Sequence, residues 1–75
     1  MTPEEVVSSV FGLDPSDVDE TTSRQTVEAW DSIGHVTLVI ELESVFGVAL
    51  SAEEAAEMTD VATIKRVLAL HGVNW

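Results

Sequence analysis

The segment Ser32–Phe46 constrains the fold most strongly, because its pattern predicts one long helix with apolar residues on two sides. Asp31 or Ser32 can cap the helix start, and Gly47 is a common helix stop. At about 100° per residue, one side carries a core-facing apolar stripe. This stripe consists of Leu38, Val39, Leu42, Val45 and Phe46. We therefore expect a helical protein packed around this segment.

A second apolar stripe lies on the opposite side of the same predicted helix. Ile33, Val36 and Ile40 follow an i, i+3, i+7 spacing that keeps them together. Two explanations remain open at this point. Another part of the chain could cover the stripe, and the short acidic segment with Ala52, Ala55, Ala56 and Met58 is the obvious choice. Alternatively, the stripe is exposed, edged by Glu41 and Glu43, and docks a partner protein.

Capping patterns predict the remaining helices. Thr2 and Glu5 form a capping box ahead of an apolar face that ends near Gly12, and Ser51 and Glu54 form a second box. The apolar face of the first helix consists of Val6, Val7, Val10 and Phe11, and the acidic helix runs from Ser51 to about Glu57. The last helix starts at Thr59–Asp60 and ends at Gly72, with Lys65 and Arg66 pointing outward. Its predicted core face consists of Val61, Ile64, Val67, Leu68 and Ala69. No β alternation extends over a useful length. The pattern predicts a small all-α fold, with three longer helices and one short one, in a single domain spanning 1–75.

Residues 13–31 form a long connection rich in Asp, Ser and Thr. Its expected apolar anchors are Leu13, Val18, Val27 and Trp30. The acidic start of the connection suggests a calcium loop of the EF-hand type. Counted from Asp14, however, Asp19 stands where glycine is required and Gln25 where a bidentate glutamate is required. We therefore expect no calcium loop.

Charge and composition exclude several classes of function. The formal net charge is −11 and the chain has no cysteine. Such acidity disfavours nucleic acids and anionic membranes and favours basic protein surfaces. The N-terminus lacks the basic and apolar regions of a signal peptide, and no apolar run could span a membrane. We expect a monomeric cytoplasmic protein.

Ser32 is the candidate functional residue, since it lies at the start of the long predicted helix. Backbone N–H groups and the helix dipole favour a phosphate ester there, and the adjacent Asp31 could orient an incoming group. The plainer alternative is that Asp31 or Ser32 serves only as a helix cap. His35 follows three residues later, but no third group orients it as the base of a serine nucleophile. His35 and His71 share no metal-binding spacing, so we expect neither catalysis nor a metal site.

The segment from Asp31 to Val48 resembles the serine-bearing segment of acyl carrier proteins. It reads Asp-Ser-Ile-Gly-His-Val-Thr-Leu-Val-Ile-Glu-Leu-Glu-Ser-Val-Phe-Gly-Val. The resemblance implies a right-handed four-helix bundle that is not an enzyme. It also implies that a separate phosphopantetheinyl transferase attaches 4′-phosphopantetheine from coenzyme A to Ser32. The thiol of that group would carry an acyl or aminoacyl cargo as a thioester.

The resemblance also implies contacts with acyl-loading and acyl-transferring enzymes that have basic docking surfaces. The candidate contact residues are Ile33, Val36, Ile40, Glu41, Glu43, Glu53, Glu54 and Glu57. Gly34 and Thr37 depart from the fatty-acid carriers, which usually have acids there, and Trp30 is also unlike that pattern. With these departures, the sequence around Ser32 more closely resembles discrete carrier proteins of specialised polyketide, hydroxyacyl or aminoacyl pathways. The alternative function is a small acidic helical interaction module without a prosthetic group.

Overall fold

The computed structural model describes all residues, 1–75, and contains four α-helices and no β-strand. The helices are α1 (Pro3–Phe11), α2 (Ser32–Phe46), α3 (Ala52–Glu57) and α4 (Val61–Leu70), with a short 3₁₀ helix at Pro15–Asp17. One isolated bridge joins Ser23 to Asp60. None of the four helices combines the length and apolar content needed to cross a membrane. The predicted all-α fold of three longer helices and one short helix is confirmed.

Two predicted capping boxes define the starts of α1 and α3. The backbone N–H of Thr2 donates to Glu5 Oε1 at 2.9 Å, and the backbone N–H of Glu5 donates to Thr2 Oγ1 at 3.2 Å. Ser51 and Glu54 make the same reciprocal pair at 3.0 and 3.1 Å. Each box satisfies two backbone donors that have no partner inside the helix. Both helices therefore begin where the sequence pattern places them.

The turn after α2 is held by Gly47 and Glu43. Gly47 has φ of 64°, a left-handed conformation that glycine adopts without steric cost, and its N–H donates to the Glu43 carbonyl. The carboxylate of Glu43 then accepts the backbone N–H of Leu50 at 2.9 Å. This side chain therefore fixes the path of the chain from α2 to α3.

The core is one cluster of twelve apolar side chains contributed by α1, α2, α4, the long connection and Met58, which lies between α3 and α4. Its members are Val6, Val7, Val18, Val27, Trp30, Leu38, Leu42, Met58, Val61, Ile64, Val67 and Leu68. Helix α1 packs against both α2 and α4. Three predicted anchors of the connection belong to this cluster, and the fourth, Leu13, packs against it. The long connection is therefore pinned to the bundle by its apolar residues.

Backbone hydrogen bonds attach the long connection to the start of α4. The N–H of Val61 donates to the Thr22 carbonyl at 3.0 Å, and the N–H of Arg24 donates to the Thr59 carbonyl at 3.0 Å. The 3₁₀ helix at Pro15–Asp17 was not predicted, since Asp, Pro and Ser also favour open turns. The connection is thus an ordered part of the fold.

Two residues predicted to face the core do not. Val45 is 39% exposed, because it lies about 60° around α2 from the buried Leu42 and close to the helix end. Ala69 is exposed, because it lies about 100° around α4 from the buried Leu68. The buried side of each helix is therefore narrower than predicted.

Lys65 was predicted to point outward, and it instead joins three parts of the chain. Its Nζ lies 3.1 Å from Glu4 Oε2 on α1 and 3.1 Å from Glu20 Oε1 in the long connection. These two carboxylates raise the pKa of Lys65 above its ordinary value. The side chain of Lys65 is 22% exposed, so it is not the fully solvated side chain that an outward position predicts.

Candidate functional site at the start of helix α2

The structure shows which of two neighbouring residues caps α2. The Asp31 carboxylate accepts the backbone N–H of Gly34 at 2.8 Å, so Asp31 is the N-cap. Ser32 is the first helical residue, is exposed, and its hydroxyl makes no hydrogen bond. The backbone N–H groups of Ser32 and Ile33 also have no protein partner. The serine hydroxyl is therefore free to accept a substituent at the positive end of a helix dipole.

His35 is not available as a base for Ser32. Its Nδ1 accepts the indole N–H of Trp30 at 2.9 Å, and its Nε2 lies 2.7 Å from the Ala55 carbonyl oxygen. Since an indole N–H can only donate and a carbonyl can only accept, the imidazole is the neutral Nε2–H tautomer. Both ring nitrogens are thus occupied, and the arrangement lacks the serine–histidine contact that a hydrolase needs.

A stack of rings supports the chain directly before the serine. The rings of Phe11 and Trp30 lie 5.2 Å apart at 24°, and those of Trp30 and His35 lie 6.4 Å apart at 18°. Trp30 is only 2% exposed, and its carbonyl accepts the Nε–H of Arg24 at 3.3 Å. The position of Ser32 is therefore set by a rigid buried aromatic rather than by a loose loop.

Gly34 lies where α2 approaches the preceding chain most closely. A Cβ placed on Gly34 would be 2.9 Å from Cε1 of Phe11, and closer still to the Ala29 carbonyl oxygen. Larger residues at this position would push α2 away from the Phe11–Trp30 stack. Glycine at this position therefore has a steric reason in this chain.

The second apolar stripe of α2 is exposed. Ile33 is 80% exposed, and Val36 and Ile40 are each 58% exposed. Helix α3 does not cover the stripe: Ala52 and Ala56 are themselves exposed. Met58, the large apolar residue of the acidic segment, is buried in the core and does not cover the stripe either. The stripe is therefore exposed and not covered by another part of the chain, and we call these three α2 residues the apolar strip.

The acidic side chains proposed around the strip fall into two groups. Glu41, Glu53 and Glu57 are exposed and make no ion pair within the chain. Glu43, by contrast, accepts the backbone N–H of Leu50 in the turn after α2. Glu54 is also engaged, with its Oε2 2.7 Å from the imidazole of His71.

Hydrogen bonds shift the ionisation of Glu54. The backbone N–H of Ser51, followed by the imidazole of His71, lowers the pKa of Glu54 below its ordinary value of 4.5. The hydrogen bond from His71, at the end of α4, to Glu54 of α3 was not predicted from the sequence. Together with His35, it gives α3 one imidazole contact to α2 and one to α4.

Two surface clefts are present, and neither touches α2 or α3. The larger, about 530 Å³, is lined by Glu20, Thr21, Ser23, Arg24, Gln25, Thr59, Asp60 and Ala62. The smaller, about 340 Å³, is lined by Leu13, Asp17, Asp19, Thr21, Thr22, Thr26 and Val27. No group of three or more His, Asp or Glu side chains is arranged to hold a metal ion. The candidate site is therefore an exposed helix start beside an apolar strip, not a pocket.

Comparison with known proteins bears on this site. The chain is 39% identical over 59 residues to a protein of Rubrobacter xylanophilus named acyl carrier protein. The match covers 77% of this chain and 72% of that protein. No protein-family model matches the chain.

Proposed function

The chain belongs to the acyl carrier protein family, and on that premise we propose that Ser32 carries a covalent 4′-phosphopantetheine derived from coenzyme A. The observation that carries this proposal is the exposed Ser32 hydroxyl, which stands beside the capping Asp31 without a partner of its own. Residues 1–75 would then act as one carrier domain that binds a cargo and performs no catalysis on it.

The residues at the start of α2 fit a phosphodiester. The hydroxyl of Ser32 would supply the ester oxygen, and the N–H groups of Ser32 and Ile33, which have no protein partner, would be available to donate to the phosphate oxygens. Asp31 does not block this end of the helix, because its carboxylate is turned to the N–H of Gly34. The attached group would supply a thiol, which this cysteine-free chain lacks.

The docking surface for partner enzymes is proposed to be the apolar strip of Ile33, Val36 and Ile40, with Glu41, Glu53 and Glu57 around it. Three exposed apolar side chains give a small contact that suits short, repeated encounters. The free carboxylates and the net charge of −11 favour partners with basic rims and fast association at low salt. Glu43 and Glu54 would contribute mainly by holding the surface in shape.

A specialised biosynthetic pathway is the proposed setting. Support comes from Gly34 and Trp30, because Trp30 stacks on Phe11 and Gly34 lies close to the same Phe11 ring. This packing depends on a glycine that carriers of the fatty-acid pattern do not usually have. The cargo class would be a polyketide-like, hydroxyacyl or aminoacyl group.

The proposed attachment is tested by intact mass after incubation with coenzyme A and a phosphopantetheinyl transferase of broad specificity. Wild-type protein should gain one phosphopantetheinyl group, and Ser32→Ala should gain none. An acidic interaction module without a prosthetic group would show no gain in either protein. The same measurement therefore separates the two candidate functions.

A further inference from the structure

His35 closes the space between α2 and α3 immediately beside Ser32. It lies one helical turn after the serine, and residues three apart on a helix are neighbours on its surface. Its Nε2 is 2.7 Å from the carbonyl of Ala55 in α3, and its Nδ1 is 2.9 Å from the indole nitrogen of Trp30. One imidazole thus links the segment before the serine, α2 and α3.

The interior behind this bridge is filled. Leu38 and Leu42 of α2 are completely buried, as are Met58, which follows α3, and Ile64 of α4. Both clefts of the molecule lie along the long connection and the start of α4. An alkyl chain passing from Ser32 between α2 and α3 would therefore have to displace packed side chains.

Entry of such a chain would also break the bridge. Trp30 is 2% exposed, so its indole N–H would lose its acceptor without gaining water. The Ala55 carbonyl would lose its imidazole donor in the same movement. Both polar groups oppose the opening of this space.

From these contacts we propose that the cargo of this carrier stays outside the helix bundle, and that it belongs to the class of short or polar acyl and aminoacyl groups. The proposal rests on the attachment at Ser32 proposed above. The Trp30–His35–Ala55 bridge is the closure that keeps the cargo at the surface, and His35 is its central residue.

The test compares acetyl and octanoyl forms, made by loading the protein from acetyl- and octanoyl-coenzyme A with the transferase. Hydroxylamine then cleaves each thioester: a C–N bond forms at the carbonyl carbon, the C–S bond breaks, and the hydroxamate and the thiol are released. A sequestered thioester reacts only from its open form. The same cleavage of acetyl- and octanoyl-pantetheine in solution corrects for the intrinsic difference between the two acyl groups.

In wild-type protein the corrected cleavage rates should agree within about twofold, since neither cargo is protected. The methyl resonances of Leu38, Leu42 and Met58 should also be the same in both forms. In His35→Ala the corrected cleavage of the octanoyl form should be about tenfold slower than that of the acetyl form, because entry of the alkyl chain no longer breaks the bridge and costs only the displacement of packed side chains. His71→Ala removes the other imidazole contact of α3, on the side of α4, and should behave as wild type.

Protection of the octanoyl group in wild-type protein, with shifted core methyl resonances, would overturn the proposal. Equal cleavage of both forms in a folded His35→Ala would overturn the assignment of the bridge as the closure. If that variant does not fold, the two wild-type forms decide the question by themselves. Failure of loading, seen by mass, overturns the attachment at Ser32 and this inference together, whereas loading followed by protection overturns this inference alone.

Discussion

The indole of Trp30 donates a hydrogen bond to the imidazole of His35 at 2.9 Å. Because the indole has no acceptor to offer, the His35 proton lies on Nε2 and is donated to the Ala55 carbonyl. A buried aromatic in front of the serine is thereby connected to a helix that contributes no buried residue of its own. This pair is one of the contacts that place α3 beside Ser32, together with the hydrogen bond between His71 and Glu54.

Replacing His35 with alanine should destabilise the protein by about 1–3 kcal/mol, because it leaves the buried indole N–H without a partner. Urea unfolding followed by circular dichroism measures the change. Trp30→Phe removes the donor and keeps a ring. In the double variant, the two losses should be coupled by about 0.5–3 kcal/mol. Strictly additive losses would show that the two side chains do not act together.

Gly34→Ala should also destabilise the protein, by about 1–3 kcal/mol, since the added methyl group meets Phe11 and the Ala29 carbonyl. The intrinsic preference of helices for alanine acts in the opposite direction by about 1 kcal/mol. Ser44→Ala is the matched control, because Ser44 is an exposed residue of the same helix. Thermal or urea unfolding compares the two variants. A Gly34→Ala protein as stable as Ser44→Ala would disprove the close approach.

The lowered pKa of Glu54 predicts a loss of stability in acid. A carboxylate whose folded pKa lies below its unfolded value stabilises the fold above that unfolded value, here 4.5. The stabilisation disappears as the pH falls through the lower folded pKa. Glu54→Ala should therefore lose more stability than Glu53→Ala at neutral pH, and the difference should shrink at about pH 3.

Glu53 is the control for this measurement because it lies next to Glu54 on α3 and has no partner. Each substitution removes one negative charge, so the change in overall repulsion is the same in both variants. Urea titrations at the two pH values give the comparison. A difference that is constant with pH would rule out ionisation of Glu54 as its source.

Substitutions in the docking surface should weaken partner encounters and leave the fold intact. Val36→Asp and Glu41→Lys change exposed side chains, so their unfolding midpoints should stay close to wild type. The kcat/KM of the phosphopantetheinyl transferase should fall about tenfold or more for each, as for a central interface contact. Asp17→Lys makes the same charge change outside α2 and α3. If the transferase has the same kcat/KM with Glu41→Lys as with Asp17→Lys, Glu41 is not part of the docking surface.

Local sequence patterns predict the helices of this chain well, because their signals lie within a few residues of each helix end. The box of Thr2 and Glu5, the cap at Asp31 and the stop at Gly47 all form as expected. Angular position along α2 also separates the exposed Ile40 from the buried Leu42. These features follow from helix geometry alone.

Contacts between distant parts of the chain could not be predicted in this way. His35 meets a carbonyl twenty residues later, and His71 meets Glu54 seventeen residues earlier, so no local pattern pairs them. A side chain at position 34 would collide with the carbonyl oxygen of Ala29. Because every residue has a backbone carbonyl, no sequence pattern indicates this contact. Ser32 could be singled out from its segment, whereas its lack of any hydrogen-bond partner required the structure.

Covalent attachment at Ser32 is the central claim, and intact mass spectrometry with fragment mapping tests it most directly. Wild-type protein and three variants (Ser32→Ala, Ser44→Ala and Asp31→Ala) are incubated with coenzyme A and the transferase. Wild type and Ser44→Ala should each gain one phosphopantetheinyl group, and fragments should place it on Ser32 in both. Asp31→Ala should be modified more slowly, because the start of α2 is no longer capped, and Ser32→Ala should remain unmodified. An unmodified wild type, or an equal gain in Ser32→Ala, would contradict the account.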